Sequence, residues 1–306
     1  NKIIKYIPHG LNHKIYRPLE TTEELDAVEK IKSNLFGKDE IDFILFFNSR
    51  NIRRKQIPDT MWAFKMFLDK LPKEKADKCR FLLHTDIVHE AGTDLEAVRE
   101  LLFEEKYPNA IKFDTKKWSS PELNCLYNMS DAQILLTSNE GWGLTLTEAM
   151  LAGNPIIANV TGGMQDQMRF TDENGKWFTP SSEIPSNNSG KYKKHGEWAF
   201  PCYPTSRSIQ GSPVTPYIWD DRCRAEDATD RIMEIYNMKK EKRKELGLKG
   251  REWAIGNEAG FTAECQGKRV IEALDELFDT WLSREVFEVI DTDTDNRKLQ
   301  THNLVY

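Results

Sequence analysis

The 306-residue sequence predicts an α/β protein with a doubly wound parallel sheet and a helical C-terminal extension. The first observation is that short apolar runs alternate with longer amphipathic stretches from Ile41 onward, which is typical of repeated strand–helix units. The second is that these runs are apolar without interruption, as expected of strands buried on both faces. The third is that helical patterns dominate residues 221–282.

The strands and helices are predicted in chain order from these patterns. Residues 41–50 are the first strand and residues 60–71 the first helix, because Met61, Phe64 and Phe67 recur at helical spacing. Further strands are predicted at 79–86, 110–115, 131–138 and 154–160, with 175–180 as a candidate sixth strand. Helices are predicted between them at 94–107, 120–130 and 143–153.

One domain is predicted over residues 40–282, followed by a polar tail over 283–306. Residues 180–221 are rich in Ser, Pro, Gly and aromatic residues without periodicity, which predicts a long inserted loop. The aromatic side chains of this loop are expected to cover an edge of the core.

Composition excludes several classes of protein. The net charge of −6 and the pI of 5.7 provide no overall basic field for nucleic acid or an anionic membrane, so basic residues matter only locally. Five scattered cysteines, none in a C-x-x-C pair, argue against a disulfide framework and a zinc site and favour a reducing compartment. No apolar run approaches the ~18 residues of a membrane span. We therefore expect a cytoplasmic protein without a transmembrane segment.

Two glutamates flank a glycine-containing turn in NEGWGLTLTEAM, residues 139–150. If the chain passes from strand to helix at 141–143, Glu140 lies at the strand tip and Glu148 about one turn inside the helix. Both then face the crevice at the carboxyl ends of the strands. The backbone N–H groups of Gly143, Leu144 and Thr145 would form an anion site there. Carboxylates accept hydrogen bonds from diols, so a nucleotide sugar suits this arrangement.

Two cations follow the first strand in SRNIRRK, residues 49–55. Arg50 and Lys55 can neutralise a diphosphate and stabilise it as a leaving group, which is work otherwise done by a metal ion. We therefore expect neither a bound metal nor a cofactor. The neighbouring Arg53 and Arg54 are interpreted as a solvated turn.

The motif set resembles that of the GT-B fold retaining glycosyltransferases, specifically the GT4 (group 1) family. That family has an E-x7-E motif followed by a glycine pair, and the matching residues here are Glu140, Gly141, Trp142, Gly143, Leu144, Glu148, Ala149, Met150, Gly153, Pro155, Ile156, Ile157, Ala158, Gly162 and Gly163. Arg50 and Lys55 keep the spacing of the family's G-R-x4-K motif, with Ser49 in place of glycine. Residues 1–20 are similar to its interdomain linker, and the resemblance extends to about Trp281 apart from the insertion.

The resemblance implies a Rossmann-like GT-B C-terminal domain, here residues 40–282, that binds a donor such as UDP- or GDP-hexose. It further implies transfer of the sugar to an acceptor hydroxyl with retention of anomeric configuration and without a metal. The family's N-terminal acceptor domain is absent from this sequence, so an upstream or separate domain is expected to supply it. The acceptor, whether sugar, lipid or protein, stays open. Peripheral membrane association through the missing domain is a further implication.

The resemblance also implies a role for each site residue. Glu140 would bind the hydroxyls of the donor sugar and Glu148 the ribose diol. Arg50 and Lys55 would hold the diphosphate, so the catalytic residues are Arg50, Lys55 and Glu140. The other donor-binding residues implied are Gly141, Gly143, Leu144, Thr145, Gly162 and Gly163, with Lys117 and Trp118 near the base.

Several alternatives stay open at this point. Taken alone, Glu140 and Glu148 are better explained as a solvated residue and a helix-capping carboxylate, and only the motifs together favour a donor site. A chain without an acceptor domain could be a non-catalytic nucleotide-sugar-binding module, or a half-enzyme that needs a partner. A GT-B-like nucleotide-sugar epimerase shares the architecture, although the spacing of Arg50 and Lys55 favours transfer. His84, at a strand end, is either a packing residue or a donor contact.

Overall fold

The computed structural model describes residues 4–178, 186–211 and 213–281. The strands are β1 (Phe43–Asn48), β2 (Cys79–His84), β3 (Ile111–Asp114), β4 (Ala132–Leu135), β5 (Ile156–Asn159), β6 (Ala199–Cys202), β7 (Ser206–Gln210) and β8 (Ile218–Arg222). The helices are α1 (Thr22–Phe36), α2 (Ile57–Asp69), α3 (Lys73–Ala76), α4 (Leu95–Phe103), α5 (Ser120–Asn128), α6 (Leu144–Leu151), α7 (Gly163–Asp166), α8 (Ala225–Tyr236), α9 (Lys240–Ile255) and α10 (Ala263–Thr280). The predicted tail, 283–306, lies outside the described residues.

Within the described ranges, β1 to β6 form one parallel sheet in the order β3-β2-β1-β4-β5-β6. Strands β7 and β8 form a separate antiparallel hairpin. The order reverses between β1 and β4, as it does in doubly wound sheets that bind nucleotides at this point. The predicted doubly wound fold is confirmed, and α8 to α10 are the predicted helical extension.

The core lies on both faces of the sheet because the central strands are mainly apolar, with the buried Gln133 of β4 and Asn159 of β5 as polar exceptions. The first five residues of β1 are buried, as are all residues of β4 and β5. Phe64 of α2 packs against Phe81 of β2 at 5.2 Å between ring centroids, and Phe67 packs against Phe43 of β1 at 5.8 Å. Burying each phenylalanine contributes roughly 1.5–3 kcal/mol. This packing fixes the strand ends from which the site is built.

The N-terminal segment is attached to the start of α10. The backbone N–H of Leu11 donates to the carbonyl of Phe261 at 3.1 Å, and Ala263 donates to the carbonyl of Leu11 at 2.9 Å. Gly10 must be a glycine here, because a Cβ would lie 2.0 Å from the carbonyl oxygen of Thr262. The C-terminal extension therefore holds this segment against the domain.

Helix α1 is absent from the sequence prediction. Its N-terminus has a capping box formed by Thr21 and Glu24, which the sequence displays. Only Phe36 of its fifteen residues is buried, so the helix has no strong apolar stripe that would reveal it.

The sixth strand lies elsewhere than predicted. Residues 175–178 are not a strand, since Trp177 makes only an isolated bridge to Thr171, and residues 179–180 lie outside the described ranges. Strand β6 pairs instead with β5, with Ala199 opposite Ile156. The prediction of a loop without regular structure over 180–221 is wrong, because its described part holds β6, β7 and most of β8. A four-residue run among Gly and Pro residues is too short to carry a periodic signal.

The aromatic residues of this segment fall into two groups. Trp198 and Phe200 are buried at the core edge as expected, and Trp198 stacks on Trp253 at 5.1 Å between ring centroids. Tyr217 and Trp219 are exposed on the hairpin, which is contrary to the expectation that they cover the core.

Candidate functional site

The predicted site residues come together at one edge of the sheet. The loops that follow β1, β4 and β5 all leave the carboxyl ends of parallel strands, and their backbones touch. Ligands of doubly wound sheets bind in the crevice outside these ends. The switch in strand order lies between β1 and β4, whose loops carry the predicted cations and Glu140.

Glu140 accepts two charged hydrogen bonds at the tip of the β4 loop. Nη1 of Arg54 donates to Oε2 of Glu140 at 2.9 Å, and Nζ of Lys55 donates to the same oxygen. The side chains of Lys55 and Glu140 are both largely buried. Burial lowers the pKa of Lys55, and the nearby charges of Arg54 and Arg50 act in the same direction, whereas Glu140 raises it. The site therefore holds a desolvated ammonium balanced by one carboxylate.

Arg54 is a member of the site that the sequence interpretation missed. Its Nη1 donates to the carbonyl of Asn139 at 2.6 Å as well as to Glu140. Its own carbonyl oxygen accepts from the backbone N–H of Ser138 and from the Thr137 hydroxyl, both at 2.8 Å. The interpretation as a solvated turn is wrong for Arg54, because residues 53–55 form a 3-10 turn that closes over the β4 loop.

Arg50 lies apart from this cluster. It is exposed at the beginning of the loop that follows β1, yet it is close enough to lower the pKa of Lys55 through its charge. Arg53, by contrast with Arg54, is exposed as expected.

The turn before α6 depends on glycine. Gly143 is the N-cap at φ 88°, a left-handed conformation that favours glycine. No side chain among the described residues caps α6 through a hydrogen bond to its N-terminus. The first N–H groups of the helix, at Leu144 and Thr145, lack intrahelical partners and attract negative charge. Leu144 is exposed and Thr145 partly so, which leaves this helix end open to a ligand.

The glycine pair after β5 lets two loops approach each other closely. A Cβ on Gly162, whose φ is 51°, would lie 1.8 Å from the carbonyl oxygen of Glu140. A Cβ on Gly163 would lie 2.4 Å from the carbonyl oxygen of Gly141. The pair is therefore required for the position of the Glu140 loop, whatever contact it makes with a donor.

A buried polar network fixes the same loop from below. The amide of Gln167 donates to the carbonyl of Trp142 at 2.6 Å and to that of Gly143 at 3.3 Å. The Thr147 hydroxyl donates to Gln167 at 2.8 Å and accepts from the Trp142 indole at 2.9 Å. The sequence interpretation missed Gln167, because no motif signals a buried amide that holds a loop through its carbonyls and a neighbouring hydroxyl.

Glu148 lies deeper, between α6 and β1. The buried Tyr127 hydroxyl donates to its Oε2 at 2.5 Å, and the Asn48 amide lies 3.5 Å from the same atom. Burial raises the pKa of Glu148, while hydrogen bonds from Tyr127 and Tyr16 and the charge of His84 act in the opposite direction. This carboxylate has oriented donors on its inner side.

The ends of β2 and β3 contribute a second connected group. Nδ1 of His84 lies 2.9 Å from Asp114, which also accepts from the Trp118 indole at 2.6 Å. Burial opposes ionisation of Asp114, but the bonds from His84 and Trp118 give it a lowered pKa overall. Lys116 lies over the Trp118 ring at 3.6 Å, whereas Lys117 is exposed. Asp114 thus connects Trp118 with His84 after the ends of β3 and β2, and the contact of Lys117 and Trp118 with a base stays a prediction.

The described residues were also compared with what a metal site and a membrane-spanning helix require. Across residues 4–178, 186–211 and 213–281, no three His, Cys, Asp or Glu side chains are grouped as metal ligands would be. In the same part of the chain, every helix is too short or too polar to cross a bilayer.

A family model described as glycosyl transferases group 1 matches residues 28–185, which are more than half of the chain. This chain belongs to the group 1 glycosyltransferases. Among curated relatives of this glycosyltransferase, the alpha-monoglucosyldiacylglycerol synthase of Acholeplasma laidlawii is 26% identical over 182 residues. These residues are 58% of this chain and 41% of the relative, so the glycosyltransferase chain spans less than half of that relative's length.

Solved structures share the fold of this glycosyltransferase. Sucrose-phosphate synthase from Thermosynechococcus elongatus aligns with a TM-score of 0.59 and 19% identity, over 90% of this chain and 53% of that chain. HepE of Anabaena, solved in complex with UDP-glucose, aligns with a TM-score of 0.58 and 15% identity, over 88% of this chain and 56% of that chain. The C-terminal domain of the group 1 family protein LpcC from Francisella tularensis aligns with a TM-score of 0.55 and 14% identity, over 81% of this chain and 98% of that chain. At these identities the likeness shows the fold, and it confirms the predicted GT-B C-terminal part.

Proposed function

We propose that this chain is the donor-binding part of a retaining glycosyltransferase that works without a metal. It binds a nucleoside-diphosphate sugar and transfers the sugar to an acceptor hydroxyl. The observation that carries the proposal is the cluster of Arg54, Lys55 and Glu140 beside the open N-terminus of α6. HepE binds UDP-glucose, which supports a UDP-hexose as donor, with a GDP-hexose as the other candidate.

The charge of the cluster suits a diphosphate leaving group. Arg54 and Lys55 supply two positive charges and Glu140 one negative charge, and Arg50, outside the cluster, adds a third positive charge nearby, which leaves an excess of two over the four residues. Each of the two phosphates of a sugar nucleotide carries a negative charge, so donor binding would neutralise this excess. The ammonium of Lys55 has three donors and can bond Glu140 and a phosphate oxygen together. Preorganised donors of this kind stabilise charge that develops as the diphosphate departs.

The proposed reaction proceeds on one face of the sugar. The bond from the anomeric carbon to the phosphate oxygen breaks, and the acceptor hydroxyl attacks the same face, so configuration is retained. The hydroxyl proton passes to the departing phosphate oxygen. Glu140 holds the hydroxyls of the donor sugar, and Glu148, oriented by Tyr127, accepts from the ribose diol.

The place of action and the acceptor are part of the proposal. The five cysteines all lie in described parts of the chain as free thiols, which fits a reducing, cytoplasmic location. Because the chain spans 53% of sucrose-phosphate synthase and 56% of HepE, an acceptor domain supplied upstream or by a partner would complete the enzyme.

Calorimetric titration of the purified chain tests the donor site. UDP, GDP, ADP, UDP-glucose and GDP-mannose are titrated without metal and again with EDTA, for the wild type, Glu148→Ala and the exposed control Glu100→Gln. We expect base-selective, EDTA-insensitive binding that weakens at least tenfold in Glu148→Ala and is unchanged in the control. The absence of any binding, or loss of binding on adding EDTA, would contradict the proposal.

Slow hydrolysis of the donor tests the stereochemistry. Proton NMR of UDP-α-glucose with the chain should show α-glucose before mutarotation, because water then replaces the acceptor on the same face. Initial β-glucose would exclude retention. Binding without hydrolysis would favour the half-enzyme, in which the partner domain completes the reacting site.

A further inference from the structure

The last residues of β1, β2 and β3 stand side by side at the edge of the sheet that carries the candidate site. Asn48 is paired with His84, and His84 is paired with Asp114, in the parallel register of these strands. Side chains at paired positions lie on one face of the sheet, and neighbouring strands are about 4.8 Å apart. Asn48, His84 and Asp114 therefore form one row across three strand ends.

Hydrogen bonds extend this row at both ends. At one end, the Asn48 amide donates to the Tyr127 hydroxyl at 3.0 Å and lies 3.5 Å from Oε2 of Glu148. At the other end, Nδ1 of His84 lies 2.9 Å from the Asp114 carboxylate. His84 thus stands one strand away from the contact of Asn48 with Glu148, which is the carboxylate assigned to the ribose diol.

The hydrogen bonds of Asp114 decide which imidazole nitrogen carries the hydrogen. Burial raises the pKa of Asp114, but bonds from His84, from the Trp118 indole at 2.6 Å and from the backbone N–H of Lys116 at 3.2 Å lower it overall. An ionised carboxylate has no hydrogen to donate, so Nδ1 of His84 is the donor. In the neutral ring, Nε2 is then a hydrogen-bond acceptor.

Nε2 is the polar atom of His84 that the described residues leave unused. Within residues 4–178, 186–211 and 213–281, nothing is hydrogen-bonded to Nε2, and 21% of the His84 side chain is exposed. Nε2 is also among the ring atoms farthest from the backbone, so it projects from the sheet on the face that Glu148 shares. Asp114 therefore holds an open acceptor in a fixed orientation beside Glu148.

A ribose diol has the chemistry that two neighbouring acceptors require. Its two adjacent hydroxyls are both hydrogen-bond donors, and each needs an acceptor when it leaves water. Oε2 of Glu148 already accepts from the Tyr127 hydroxyl, so a second acceptor nearby is useful for the second hydroxyl. The next acceptor toward β2 is Nε2 of His84.

We infer that His84 binds the nucleotide, with Nε2 accepting from one ribose hydroxyl while Glu148 accepts from the other. Asp114 is a positioning residue that fixes the ring and its tautomer. The inference rests on the proposed function and narrows its substrate class to ribonucleoside diphosphates. A site that hydrogen-bonds a hydroxyl rejects the analogue that lacks it, because a buried polar group is then left unpaired.

Calorimetric titration of the full chain with UDP, 2′-deoxy-UDP and 3′-deoxy-UDP tests the contact. The wild type should prefer UDP over each analogue by roughly fivefold or more, because each analogue loses one hydrogen bond. His84→Asn keeps an amide N–H near the place of Nδ1, which can still donate to Asp114, but it has no Nε2. This variant should lose most of the UDP affinity that the second hydroxyl supplies, and it should bind one of the two analogues as the wild type does.

Two further variants separate binding from positioning. His84→Gln, whose amide oxygen reaches the place of Nε2, should recover part of the preference for UDP. Asp114→Asn should lower the same preference, because its neutral amide no longer fixes the tautomer of the ring. A residue that only supports the fold would not change the ratio of the UDP and deoxy-UDP affinities.

His195→Asn is the matched control. His195 is also half-buried, and its Nδ1 lies 2.9 Å from the carbonyl oxygen of Gly196, but it precedes β6 and is outside the row. The control should leave all three affinities unchanged.

Three results would overturn the inference: unchanged UDP affinity in His84→Asn, an equal loss for UDP and both analogues in that variant, or a wild type that prefers UDP over neither analogue. UDP binding by the wild type in those cases would leave the proposed function standing. Failure of the wild type to bind UDP would contradict the proposed function itself, and the inference with it.

Discussion

The close approach of Gly162 to Glu140 allows one substitution to be worked through in detail. In Gly162→Ala, the new Cβ would lie 1.8 Å from the carbonyl oxygen of Glu140. To restore ordinary contact the two loops must separate by more than 1 Å, and such overpacking costs about 1–3 kcal/mol. The backbone of Gly162, at φ 51° and ψ −146°, lies near a region that only glycine occupies readily, which adds about 1–3 kcal/mol. We expect a total destabilisation of roughly 2–6 kcal/mol.

Two control positions separate these contributions. Gly175 has φ 78°, but a Cβ there would have no described atom within 4 Å, so Gly175→Ala measures backbone strain alone, about 1–2 kcal/mol. Gly141, with φ outside the left-handed region and no described atom within 4 Å of its Cβ, should tolerate alanine with little loss. Urea unfolding followed by circular dichroism gives the three free energies of unfolding.

Donor binding gives the second readout for Gly162→Ala. Because the shifted carbonyl belongs to Glu140, UDP-glucose affinity should fall at least tenfold in the fraction that stays folded. If Gly162→Ala is destabilised no more than Gly175→Ala, the close approach of the two loops is refuted. If it is destabilised but binds UDP-glucose normally, the link between the glycine pair and the position of Glu140 is refuted.

Three further outcomes are expected. Lys55→Met should weaken UDP affinity at least tenfold by calorimetry, because it removes a buried cation from Glu140 and the diphosphate; unchanged affinity would contradict its assigned role. Tyr127→Phe should lower the free energy of unfolding by about 1–3 kcal/mol in urea, because it leaves Glu148 and Asn48 without their shared hydroxyl; a neutral effect would show that this bond is not important. UDP-glucose affinity should fall as the pH falls through the raised pKa of Glu148, since the ribose diol requires the ionised carboxylate. Because the pKa of Glu148 is raised in the folded protein, its ionisation lowers the free energy of unfolding as the pH rises through that pKa. Donor affinity should therefore rise with pH while stability falls. A pH-independent affinity, or the same pH profile in Glu148→Gln, would contradict this.

The central sheet could be predicted because β1 to β5 each lie in a mainly apolar run with a helix after it, although β3 contains Lys112 and Asp114. Buried parallel strands leave that pattern for physical reasons, since neither face meets water. Strand β6 and the hairpin could not be predicted in the same way. Strand β6 has four residues, and the hairpin strands are largely solvated, so neither leaves a periodic apolar signal.

In the candidate site, too, residues within one short motif could be predicted, whereas residues brought in by tertiary contacts could not. Glu140, Gly143 and Glu148 could be found because a strand tip, a turn and a helix start lie within ten residues. The contact of Arg54 with Glu140 joins positions 86 residues apart and depends on a 3-10 turn. Gln167 contacts the carbonyls of the turn and the Thr147 hydroxyl, and these contacts leave no trace in the spacing of charged or glycine residues.

The position of Asp221 has a consequence for exchanging parts between related enzymes. Its carboxylate accepts from Thr161 and Asn187, and its backbone carbonyl accepts from the Asn159 amide at 2.7 Å. A chimera that replaced the hairpin with a short connection would remove the acceptor of the Thr161 hydroxyl and of the Asn187 amide, and the Asn159 amide would keep only its bond to the carbonyl of Thr137 at 3.0 Å. Each unsatisfied donor costs about 1–3 kcal/mol, so a viable graft must bring its own acidic residue or change all three partners together. The hairpin and the end of β5 therefore form one hydrogen-bonded unit, and an exchange of either part has to supply the partners of the other.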